Sequence, residues 1–175
     1  MSSIHITAHP NPAPRATPGL AATLSRTAKS YRLAIVLAAA EDREAIYRFR
    51  HDVYARELRQ HRTNDIGCLR DSLDERNVYL VAKAHGEIVG FVSITPPGGQ
   101  SYSIDKYFPR DRLPFAFDAA LYEVRLLTVL RPQRGGEAAA LLMYAALRYI
   151  EAHGGTRVVV IGRRELRDIR RTPSP

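Results

Sequence analysis

The chain has 175 residues, enough for one domain with a true core, and no twenty-residue apolar run or basic-apolar-small leader, so it reads as soluble and cytoplasmic with no membrane partner. Cys68 is the only cysteine, which excludes an internal disulfide, and the six histidines show no paired ligand spacing, so no metal is expected. The net charge of +8 sits at the ends: residues 1–40 hold Arg15, Arg26, Lys29 and Arg32 without an acid, and residues 162–175 hold five arginines against Glu165 and Asp168, so the body offers no nucleic-acid-binding face.

In chain order, residues 1–29 are rich in Pro, Ala, Ser and Thr and are expected to form a disordered basic tail. The folded body is placed at residues 30–162. Tyr31 to Leu37 reads as a strand, and Glu41 to His61 as a helix with Ile46, Phe49 and Val53 on one face. After a polar loop, Val78–Lys83 and Ile88–Ile94 flank His85-Gly86 and predict an antiparallel hairpin. The connection from Pro96 to Ala120 is longer than a passive link needs, and such loops often line binding sites. Leu121–Leu130 is a fourth strand, stopped by Pro132 and the glycine pair. Ala138–Ile150 is a helix of good formers ended by Gly154-Gly155, and Arg157–Ile161 is a buried strand. Residues 163–175 read as a short basic helix and tail. This order implies an α/β fold, a mixed central sheet with helices on both faces.

The stretch Gln133-Arg-Gly-Gly-Glu-Ala138 lies between a strand and the opening of an apolar helix. Glycines let a backbone come close to an anion, and the N–H groups of a first helical turn point at it with a favourable dipole. Arg134 can add a charge-assisted hydrogen bond. No Gly-Lys-Ser/Thr follows, so a nucleotide P-loop is excluded.

The same stretch resembles the pyrophosphate-binding signature of the GNAT acyltransferase superfamily, and the element order over about residues 31–162 is similar to that fold. Four further pieces resemble the acyl-homoserine-lactone synthases and related N-acyl amino acid synthases: Arg50 with Tyr54 in the first helix, Asp71 and Asp74 before the hairpin, Tyr102 to Pro109, and Glu123 with Arg125 on the fourth strand. Gln60 stands where lactone synthases carry a tryptophan and Ser93 where they carry an arginine, which favours an acceptor other than S-adenosylmethionine. The family usually continues past the fifth strand with a helix and one or two more strands, so the expected sheet lacks these.

The resemblance implies an N-acyltransferase that moves an acyl group from acyl-coenzyme A or an acyl carrier protein to a small, amino-acid-like amine. Catalysis is expected from Glu123 as base and at Thr128, where backbone N–H groups of Leu127 to Val129 would polarise the thioester. Leu127, Val129, Gln133, Arg134, Gly135, Gly136 and Ala138 would hold the donor. Arg50, Tyr54, Asp71, Asp74 and Arg125 would form the acceptor side. Glu123 paired with Arg125, or Asp71 and Asp74 merely capping a loop, are equally open readings. A thioester-binding domain without catalysis is the rival function, and an unpaired sheet edge would suit a homodimer.

Overall fold

The structure is a computed structural model that describes residues 32–99 and 101–161. The expected N-terminal tail and the basic C-terminal helix lie outside the described residues. A five-stranded mixed sheet forms the centre, with strands in the order β1-β2-β3-β4-β5. These are β1 (Leu33–Leu37), β2 (Val78–Ala84), β3 (Glu87–Thr95), β4 (Leu121–Val129) and β5 (Arg157–Val160). Neighbours pair antiparallel except β4 with β5, which are parallel and joined through helix α2 (Ala138–Ala152). No described helix is long and apolar enough to cross a membrane.

Alternation along the strands builds two cores. Tyr79, Val81 and Phe91 face one side, where helix α1 (Asp42–Arg50) lays Ile46, Tyr47 and Phe49 on them. The Phe49 and Phe91 rings meet edge to face at 5.4 Å, the geometry their quadrupoles favour. Leu80, Ala82, Val92, Ile94 and Val124 face the other side against Leu142, Ala146 and Ile150 of α2. Each fully buried side chain of this size contributes roughly 1.5–3 kcal/mol. Gly90 lets α2 come close, since a Cβ there would stand 3.2 Å from the Leu142 side chain and 3.0 Å from the Thr128 carbonyl oxygen. The outer face of α2 is less apolar in its surroundings than its sequence suggests, with Tyr144 and Leu147 exposed.

The β2–β3 turn uses His85 and Gly86, both at positive φ (52° and 86°), the backbone of a tight hairpin whose twist matches its strands. Two irregularities depart from the expected elements. The first helix is not one α-helix to His61: after Arg50 it becomes π-helical over His51–Glu57, with the Leu58 N–H reaching back to the Val53 carbonyl at 2.8 Å. In β4, Phe91 opposes Thr128 and Ser93 opposes Arg125, so three steps of β4 face two of β3. The extra residue is a β-bulge, and Leu126 takes a φ of 56° to make it.

Candidate active site

Arg50 ends α1 and is 3 % exposed. Its Nη1 donates to both oxygens of Asp74 at 2.7 and 2.8 Å, and its Nη2 to Asp71 Oδ2 at 3.1 Å. The Asp71 Oδ2 also accepts from Arg125 Nη2. Backbone N–H groups fix both acids: Leu73 donates to Asp71 at 2.9 Å and Asp71 to Asp74 at 2.7 Å. The Tyr79 hydroxyl donates to Asp74 at 2.7 Å. The Asp-x-x-Asp loop thus folds on itself and presents its carboxylates to two guanidinium groups buried between α1 and the sheet. Burial alone would raise the Asp71 carboxyl, but the charge and hydrogen bond of Arg125, with Leu73 N–H and Arg50, hold it below the ordinary carboxylate range. Burial works against the Arg50 charge as well and is outweighed by Asp74 foremost, so that pKa is raised. Burial, with the hydrogen bond to Asp74, pushes the Tyr79 phenol up.

Saturation is incomplete in one direction. Arg50 Nε, Arg125 Nη1 and Ser93 Oγ are buried with no hydrogen-bond partner among the described residues. Ser93 and Arg125 are cross-strand neighbours in β3 and β4. Buried donors of this kind are rare unless a ligand or water completes them.

Glu123 is fully buried and takes three hydrogen bonds: from Ser103 N–H at 2.9 Å, Ser103 Oγ at 2.7 Å and Ile104 N–H at 3.0 Å. Its pairing with Arg125, one of the two sequence readings, does not form, because the Asp71 carboxylate takes that guanidinium. Glu123 pins the 3₁₀ turn Ser103–Lys106. Past the bulge, Thr128 Oγ1 donates to the Leu126 carbonyl at 2.9 Å and so accepts from the Tyr54 hydroxyl at 3.1 Å. The π-helical turns set Tyr54 at this position.

Pairing of β4 with β5 ends at Val124 opposite Val160 among the described residues, while β4 continues to Val129. Residues 125–129 have no β5 partner on that side among the described residues, which end at residue 161. Beyond it, Arg131–Gln133 makes a 3₁₀ turn, Gly135 takes a φ of 81°, and α2 opens at Ala138 with no side chain capping its first N–H groups. Arg134 does not stand ready for an anion: its Nε donates to the Val129 carbonyl at 3.0 Å and its two Nη groups fork onto Glu57, with Nη2 to Oε2 at 2.9 Å. Leu127 is partly exposed and Val129 buried.

Residues 37–168 match the Acetyltransferase (GNAT) family. The chain belongs to that family. Among solved structures, it is similar to the coenzyme-A-dependent acyl-homoserine lactone synthase BjaI, bound to SAM and isopentyl-CoA, with 27% identity and a TM-score of 0.64 over 72% of this chain and 62% of that one. It shares its fold with the acyl-homoserine lactone synthase LasI (14% identity, TM-score 0.65, 79% and 76% covered). An aminoglycoside acetyltransferase from an uncultured soil metagenomic sample also has this fold (14%, 0.54, 82% and 88%). The chain spans about three-fifths of the BjaI length, and no curated protein matches it.

Within this GNAT domain the structure brings Arg50, Asp71, Asp74 and Arg125 into one cluster and Tyr54 onto Thr128. Glu123, two residues from Arg125 on β4, takes its hydrogen bonds instead from the 103–106 turn. Gln133 to Ala138 form the expected turn at the start of α2. Glu57 and Ser103 escaped the sequence reading. Ser103 sits in an irregular loop with no periodic signal, and Glu57 is the last residue of a π-helical segment that sequence periodicity does not mark.

Proposed function

We propose that this GNAT domain is an N-acyltransferase that moves an acyl group from a coenzyme A thioester to the amine of a small, amino-acid-like molecule. The observation that carries the reading is the bulged end of β4, which has no β5 partner at 125–129 among the described residues and runs on to a helix N-terminus without a side-chain cap. In this reading the pantetheine arm lies along that stretch. N–H groups around Leu127 to Val129 polarise the thioester carbonyl, and the 133–138 turn faces the pyrophosphate. The 27% identity to a coenzyme-A-dependent enzyme supports coenzyme A as donor over a carrier protein.

On the acceptor side, Arg125 Nη1 and the Ser93 Oγ across the strand have no partner among the described residues, while Arg125 Nη2 holds the Asp71 carboxylate, a polar group suited to an amino acid. The amine nitrogen attacks the thioester carbon, the carbon–sulfur bond breaks, and the thiolate leaves. The amine proton passes to Ser103 Oγ as that hydroxyl gives its own to Glu123 along their 2.7 Å hydrogen bond.

The three hydrogen bonds that Glu123 already accepts favour a second reading, a thioester-binding domain without turnover. Thiol release measured with acyl-coenzyme A and a panel of amino acids separates them: release that needs both substrates is the expected result, and donor binding without release establishes the second reading.

A further inference from the structure

Resting on that reading of the 133–138 turn, we propose that Glu57 is a positioning residue for the donor site, an internal carboxylate that holds Arg134 until the donor pyrophosphate displaces it. Arg134 precedes Gly135, so its side chain springs from the turn that faces the phosphates. Val129 anchors its Nε at 3.0 Å, which fixes the direction of the guanidinium, and the fork that would grip a phosphate grips Glu57 instead. A carboxylate and a phosphate both want the same planar pair of N–H groups, so the two anions compete for one cation.

The released carboxylate has somewhere to go. Glu57 lines a groove of about 540 Å³ whose wall carries Arg48 and Arg131 beside Asp42, Asp52 and Glu87, of which Asp42 is paired with Lys83 and Asp52 with Arg56. Arg131 on that wall offers a second cation within the same turn. Glu57 also closes the π-helical segment that begins just after Arg50 and carries Tyr54 to Thr128. Exchange at Arg134 therefore reaches a segment whose other end holds the acceptor cluster. A donor lacking the phosphates, such as pantetheine, would leave the latch closed.

The test is equilibrium binding of coenzyme A and of pantetheine to the full chain and to Glu57→Gln, Glu57→Asp, Arg134→Gln and the Glu57→Gln/Arg134→Gln double variant, each checked for a cooperative melt. Both Glu57 variants should bind coenzyme A roughly two- to fivefold tighter, the range a partly exposed ion pair supports, with pantetheine unchanged. The aspartate variant keeps the charge but loses the reach, so tightening there shows that Arg134 has been released. In the Arg134→Gln background the Glu57 effect should vanish, whereas with Arg134 present KM for the acyl donor should fall in both Glu57 variants. Weaker binding in Glu57→Gln, or equal tightening with Arg134 absent, overturns the latch while leaving the phosphate turn in place. Folded protein that binds no coenzyme A in any variant overturns the donor-site reading and the latch with it.

Discussion

At Asp74 a single side chain neutralises most of a buried guanidinium. Removing one partner of such a pair leaves an uncompensated charge, at a cost of about 3–5 kcal/mol, whereas replacing both by apolar groups is often neutral. Asp74→Ala should therefore lower the unfolding free energy by about that amount in a urea titration, and Arg50→Met/Asp74→Leu should recover much of it. Asp71 gives the pH dependence. Its carboxyl is held below the ordinary value of 3.8 in the folded state, so its contribution is full above that value and is lost as pH falls through the lowered one. Acid unfolding of Asp71→Asn should show a shallower limb below pH 3.8 than the unaltered chain. Ser103→Ala, followed by thiol release, tests the proton path: loss of turnover with coenzyme A binding intact is expected, and unchanged turnover removes Ser103 and Glu123 from it.

The elements were legible where periodicity speaks and illegible where it breaks. Alternation in Val78–Lys83 and Ile88–Ile94, split by His85-Gly86, set the hairpin within a residue or two of its observed ends. The π-helical turns at His51–Glu57 leave no such trace, because Ile46, Phe49 and Val53 fit a regular helical face either way. The β4 bulge was hidden too, since Leu121–Leu130 is apolar enough to read as a continuous strand. Motif order put Arg50, Asp71 and Asp74 among the acceptor-side candidates and left loop capping open, whereas the Glu57 fork comes from the last residue of the π-helical segment. Leu126 pays for the bulge with a left-handed backbone, which β-branched residues tolerate least. Leu126→Val should cost about 1–3 kcal/mol in a thermal or denaturant melt, and the donor edge beyond it should bind coenzyme A more weakly.

Over the whole molecule, the layered α/β arrangement followed from the element order, and so did the helices on both sheet faces, because each had one apolar stripe to bury. The charge distribution was also informative: excess basic residues fall largely outside residues 41–161, so the body needs no polyanion to explain it. If the 133–138 turn receives the donor, coenzyme A at a hundred times its dissociation constant should add about 2.7 kcal/mol of apparent stability and raise the melting temperature by a few degrees. Gly136→Glu should abolish that shift.

The strand order, identical in space and in sequence, bears on how the chain assembles. Strands β1 to β4 pair with successive neighbours by residue 129, before any of α2 or β5 is needed. Loop closure is least costly between adjacent segments, so the β2–β3 hairpin is the natural nucleus, and β1 and β5, each joined to the sheet through a connection that carries a helix, join later. Pulse-labelled hydrogen exchange during refolding should show β2 and β3 amides protected before those of Arg157–Val160. Because β5 also follows β1 to β4 along the chain, a nascent chain would hold the Arg50–Asp71–Asp74–Arg125 cluster before the parallel β4–β5 contact forms.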